Sequence, residues 1–173
     1  TWIKEGAFYN CTNLENVQLP STLQKIGGEE ETGAFEGCTS LTAILLPESI
    51  TELGYATFLE CTALKEITFP KNLVEINEAT FYGCTSLTEL VIPEGVQTIC
   101  KDAFAFCSNI TKIELPASLR TIKQGAFRGN EKVKEINWKE GIEIIEDRAF
   151  SGMVSLQSIS LPASLKGVGD CVF

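Results

Sequence analysis

Apolar residues return along this chain at fixed intervals. Counting each interval from a phenylalanine at position zero, Phe8, Phe35, Phe58, Phe81, Phe104, Phe127, Phe150 and Phe173 are spaced by 27 residues once and by 23 residues six times. Position 9 is always aliphatic: Val17, Ile44, Ile67, Leu90, Ile113, Ile136 and Ile159. Position 11 reads Leu19, Leu46, Phe69, Ile92, Leu115, Trp138 and Leu161. Further aliphatic columns stand at positions 6, 15 and 18, as in Leu41, Ile50 and Leu53. Positions 9 and 11 alternate with polar neighbours, the period-two pattern of a half-buried strand. All six prolines occupy position 12 (Pro20, Pro47, Pro70, Pro93, Pro116, Pro162). A proline cannot donate to a ladder, so the spacing predicts a short strand over positions 7 to 11 that ends there.

A period of roughly 20 to 50 residues is the mark of a solenoid, whose turns cannot bury their apolar side singly. One strand per turn, always in the same direction, stacks into a parallel sheet with rungs about 4.7–4.9 Å apart. The unbroken register makes residues 1–173 one domain. The chain opens mid-turn at Thr1, stops at Phe173 and shows no polar capping segment, so it reads as a fragment of a longer repeat array. Two places depart from the pattern. Four extra residues fall within Gly27–Gly33, and a charge run of this kind is either a cation or partner contact or a solvated insertion, the second being the ordinary case. In the sixth turn Asn130, Trp138 and Lys139 replace the usual cysteine, aliphatic residue and proline, as a recognition patch or as repeat drift.

Five of the seven cysteines share position 3: Cys11, Cys38, Cys61, Cys84 and Cys107. The column continues as Asn130 and Met153, so it fills space and sometimes meets backbone groups. A straight ladder offers no tetrahedron for zinc, and five parallel side chains cannot all pair as disulfides. Free, buried thiols are the expectation.

The repeated strings F-E-G-C-T-S-L-T-A-I-L-L-P-E-S-I and F-Y-G-C-T-S-L-T-E-L-V-I-P-E-G-V closely resemble the BspA-like class of leucine-rich repeats over essentially the whole chain. That resemblance implies an α/β-type, right-handed leucine-rich-repeat solenoid of about seven turns with a parallel sheet on one face. Whether the far side holds short strands, helical turns or loops stays open. It also implies an extracellular or cell-surface location and a role in attachment to host or matrix proteins, in co-aggregation or in host sensing.

Composition narrows the chemistry. The net charge of −9 and the lack of a one-sided basic run argue against nucleic acid. No stretch approaches transmembrane length, so no direct membrane insertion is expected of this segment. There is no histidine, which removes the commonest general base and every Ser-His or Cys-His arrangement. There is no glycine-rich phosphate loop, and a repeat surface offers no evident pocket to shift a carboxylate pair. The reading is therefore noncatalytic, with no metal, cofactor or small-molecule substrate.

A solenoid's function usually lives on its extended sheet face. The outward positions 7, 8 and 10 give a candidate protein-binding face of Thr42, Leu45, Lys65, Glu66, Thr68, Glu89, Val91, Lys112 and Glu114. Leu45 and Val91 are aliphatic where solvent is expected. The alternative, from another functional class, is a spacer that presents an adjacent domain and has no ligand.

Overall fold

The computed structural model describes residues 1–29 and 32–173. Glu30 and Glu31, at the centre of the insertion Gly27–Gly33, lie outside the described residues. The short strands are, in chain order, β1 (Trp2–Ile3), β2 (Lys25–Ile26), β3 (Ala43–Leu45), β4 (Glu52–Leu53), β5 (Glu66–Thr68), β6 (Glu75–Ile76), β7 (Glu89–Val91), β8 (Thr98–Ile99), β9 (Lys112–Glu114), β10 (Thr121–Ile122), β11 (Glu135–Asn137), β12 (Ile144–Ile145) and β13 (Gly167–Val168).

The three-residue strands form the expected sheet at positions 8 to 10. β3 pairs with β5, and β7, β9 and β11 follow as a second parallel set. Ladder hydrogen bonds define these strands over fewer residues than positions 7 to 11, and no strand forms at this position in the first and last turns. The two-residue strands stack on another side as the parallel sets β1-β2-β4 and β6-β8-β10-β12-β13. The chain is thus a parallel-strand solenoid of about seven turns with two sheet faces. No helix occurs among the described residues, so the α/β expectation is corrected. The longer links, such as 54–65, are interrupted by left-handed residues (Ala56, φ 48°, and Glu60, φ 57°), which a right-handed helix cannot contain.

At the seam between β4 and β6 the ladder gives way to a side chain. Elsewhere the backbone N–H after each two-residue strand donates to the turn before, as Gly54 does to Ile26 at 2.7 Å and Cys100 to Ile76 at 2.9 Å. Here Asn77 Nδ2 donates to the Leu53 carbonyl at 2.8 Å.

The phenylalanine corner is the most regular part. Phe35 through Phe150 are fully buried and stack ring on ring, for example at 5.1 Å between Phe81 and Phe104, with planes 5° apart. Residues two before and two after the phenylalanines mostly adopt left-handed backbone, as in Ala56 (φ 48°) and Glu60 (φ 57°) around Phe58, Gly33 before Phe35 being an exception. These two bends aim the intervening amides along the stack. Phe58 N–H donates to Thr80 at 2.8 Å and Glu60 N–H to Tyr82 at 2.7 Å.

The cysteine column completes this corner. Cys38, Cys61, Cys84 and Cys107 are buried, and each thiol donates to the phenylalanine carbonyl one turn back, at 3.1–3.2 Å. All cysteines are free, and Cys11, in the first turn, is exposed rather than buried. Burial pushes the Cys61 and Cys107 thiols up to about 12, so they stay protonated and donate. Met153 has no donor to offer Phe127. Asn130, one turn earlier, supplies the missing bond: its Nδ2 donates to both Phe104 (2.9 Å) and Phe127 (2.7 Å).

Beside this 23-residue period runs a two-turn alternation. Position 15 is Leu23, Leu73, Leu119 and Leu165 in one set of turns, and β-branched Ile50, Val96 and Ile142 in the other. Position 2 is Gly37, Gly83 and Gly129 in the turns that follow Asn10, Glu60 and Phe106. At Gly129 the reason is space, since a Cβ there would lie 2.5 Å from the Phe106 ring; at position 2 the alternation stops at Gly152.

Candidate functional site

The outer face of the first sheet is built by strand alternation. Ile44, Ile67, Leu90, Ile113 and Ile136 turn inward, so positions 8 and 10 turn out. The registers place Ala43 beside Glu66 and Leu45 beside Thr68, then Glu89 beside Lys112 and Val91 beside Glu114. Thr42, Lys65, Glu66, Thr68 and Glu89 are exposed, while Lys112 and Glu114 are half-buried. Leu45 is 73% exposed and Val91 58%.

The predicted residues therefore share one side of the solenoid but fall into two groups. Thr42, Leu45, Lys65, Glu66 and Thr68 belong to β3, β5 and their leading residues. Glu89, Val91, Lys112 and Glu114 belong to β7 and β9, and no ladder pairs β5 with β7.

Within the second group the charges are organised. Lys112 Nζ lies 2.8 Å from Glu114 Oε1, two residues along the same strand. This hydrogen bond, and then the charges of Glu114, Glu135 and Glu89, hold the Lys112 ammonium above its usual value. Lys112 is the central cation of the cross-strand row Glu89–Lys112–Glu135.

Immediately beyond the strands lies a groove of about 400 Å³ that position counting missed. Its apolar lining includes Val91, Pro93, Pro116 and Trp138, and its polar rim includes Glu94, Glu114, Asn137 and Lys139. Trp138 is fixed in place: its Nε1 donates to Ser160 at 2.6 Å, and its ring meets Phe150 edge-on at 5.9 Å. Lys139 reaches across the intervening turn to place Nζ 2.8 Å from Glu94 Oε1. The Glu94 carboxylate also accepts the Ala117 and Ser118 N–H groups, both at 3.3 Å. Lys139, and then these amides, hold the Glu94 carboxyl below its ordinary value. The sixth-turn substitutions thus meet the fourth turn: Trp138 lines the groove that Val91 also lines, and Lys139 pairs with Glu94. Asn130, by contrast, is fully buried and belongs to the core.

Candidate chemistry elsewhere is sparse. Cys100 is buried with its Sγ 2.5 Å from Glu75 Oε1, and burial, then this carboxylate, push its thiol up to about 12. Among the described residues no three His, Cys, Asp or Glu side chains are grouped to hold a metal ion. Among those residues no helix is long and apolar enough to cross a membrane.

The same architecture is found in solved bacterial structures. A T. pallidum leucine-rich repeat protein is 31% identical, with a TM-score of 0.82 over 91% of this chain and 72% of that one. A leucine-rich cell-surface protein of Faecalibacterium prausnitzii is 33% identical, with a TM-score of 0.61 over 70% of this chain, matching 34% of the other. A Eubacterium ventriosum leucine-rich repeat protein shares the fold at 24% identity, with a TM-score of 0.63 over 91% of this chain and 36% of that one. No curated protein matches the sequence. The family model described as BspA type leucine-rich repeat region, in six copies, matches residues 1–132 and 57–173. The phenylalanine and cysteine columns, the proline corner and the parallel ladders are the structural form of that match: the chain belongs to the BspA-type leucine-rich repeat family.

Proposed function

We propose that this chain is a noncatalytic protein-binding module that acts at the cell surface in attachment to host, matrix or other cells. The observation that carries this reading is the first sheet's outer face. There the aliphatic Leu45 and Val91 stand exposed among Lys65, Glu66, Thr68, Glu89 and Lys112 on strands held by a buried core. Rigid presentation lowers the ordering cost of binding, and weak contacts repeated along a solenoid add through avidity. The cell-surface part rests on likeness to the F. prausnitzii protein. Residues 1–173 act as one solenoid domain in this reading, and no step of chemistry is assigned to it.

The test is binding of the purified chain to immobilised matrix and host-surface proteins, with Leu45→Glu/Val91→Glu alongside. Saturable binding that is lost in the double variant, at an unchanged melting temperature, is expected. A folded parent that binds none of them would favour the spacer role instead.

A further inference from the structure

We propose that the groove beside Val91 and Trp138 receives a basic side chain, arginine above all, from an extended segment of a partner protein. The inference deepens the protein-binding reading above and rests on it.

The groove has the chemistry of a long cationic side chain turned inside out. Val91, Pro93 and Trp138 offer apolar surface for an alkyl stem, and the carboxylates of Glu94 and Glu114 stand on the rim where a cationic head would arrive. An arginine is favoured over a lysine because its planar head can stack on the indole and grip a carboxylate with two N–H groups. The surrounding charge points the same way. Across the sheet face and proline corner of these turns Glu89, Glu94, Glu114, Glu135 and Glu140 meet Lys112, Lys134, Lys139 and Arg120, five carboxylates to four cations.

The free protein already shows each rim carboxylate holding a cation. Lys139 Nζ sits 2.8 Å from Glu94, and Lys112 Nζ sits 2.8 Å from Glu114. Lys139 is 64% exposed in that pair, so it can swing out and yield Glu94 to an incoming guanidinium at little cost. Glu94 itself stays in position, because the Ala117 amide bonds its Oε1 and the Ser118 amide its Oε2. Trp138 likewise needs no ordering, being tied to Ser160 and seated on Phe150.

The probe is a short peptide, capped at both ends, with two arginines and otherwise neutral residues. Its counterpart carries citrulline, an uncharged isostere, at both positions. Titration into the Trp2→Phe protein, followed by Trp138 fluorescence and by calorimetry, should saturate with the arginine peptide. Affinity should fall by at least about tenfold with the citrulline peptide and by as much in Glu94→Gln/Glu114→Gln. Glu94→Gln keeps an acceptor oxygen for Ala117 and Ser118, and circular dichroism checks the fold. Val154→Ser, at an exposed turn residue outside the sheet face and the groove, should leave peptide binding unchanged. No saturation at millimolar arginine peptide, or equal binding of the citrulline peptide, overturns the proposal. A whole partner protein whose binding is lost in Leu45→Glu/Val91→Glu but indifferent to Glu94→Gln/Glu114→Gln also overturns it, while leaving the protein-binding reading intact.

Discussion

The phenylalanine corner and the proline corner of this solenoid solve the same problem by opposite means. Each must satisfy the backbone groups of a sharp bend while stacking on its neighbours. At the phenylalanine corner the partners are other backbone groups and buried thiols: Phe81 N–H bonds Ala103, Gly83 N–H bonds Ala105, and Cys107 Sγ bonds Phe81. At the proline corner one backbone bond closes the bend, as from Leu119 N–H to Pro116 at 3.3 Å, and side chains supply the other partners. Ser118 Oγ accepts the Gly95 N–H and donates to Val96, both at 2.9 Å. Glu140 accepts the Ala163 and Ser164 amides, and Arg120 Nη1 donates to Ala117, Leu119 and Gly141. One corner is closed to change because the backbone is its own partner. The other carries orientable polar groups at the surface, and there the groove and its charges lie.

The contrast can be broken from either side. The largest effect should come from Phe81→Ala, which leaves a cavity in the middle of the ring stack and should cost about 3–5 kcal/mol in urea unfolding. A loss within about 1 kcal/mol would show that the column does not hold the stack. Next is Gly129→Ala. Its φ of 74° and a Cβ 2.5 Å from the Phe106 ring should cost roughly 1–3 kcal/mol. Phe106→Ala in the same chain should recover part of that loss, a coupling that a double-mutant cycle reads directly.

At the other corner Ser118→Ala removes one acceptor and one donor at a partly exposed seam and should cost about 1 kcal/mol. A loss matching that of Phe81→Ala would erase the distinction between the corners. The smallest effect is electrostatic. Lys139 and two amides hold the Glu94 carboxyl below its ordinary value of 4.5, so the ionised form favours folding above that value. The contribution disappears as pH falls through the depressed folded value. Glu94→Gln should therefore be slightly less stable than the parent at neutral pH, with the gap closing in acid. A gap that widens in acid would reverse the assignment.

How much of this was legible in the sequence follows the same division. Phe35, Ile44, Cys61 and Leu90 recur at one spacing because each turn buries the same side chains, so the core and the first sheet could be read by counting. Two-residue strands such as Glu52–Leu53 and Thr98–Ile99 are too short to show alternation, and the second sheet stayed hidden. The left-handed bends were masked too, because Ala56, Glu60, Asp102 and Phe106 occupy them where a search would look for glycine. Exposure of Leu45 and Val91 follows from strand alternation alone. The groove does not. Lys139 meets Glu94 across 45 residues of sequence, and only the stacking of turns brings Trp138 onto the rim beside Val91.

The most direct measurement is native-state hydrogen exchange, resolved residue by residue, on the intact chain. The Phe81 and Gly83 amides, bonded to backbone in the buried corner, should exchange only through global unfolding. The Gly95, Ala117 and Ser118 amides, bonded to side chains, should open locally and exchange at least about tenfold faster after correction for intrinsic rates. Equal protection at the two corners, or higher protection at Gly95 and Ser118 than at Phe81, would contradict the account.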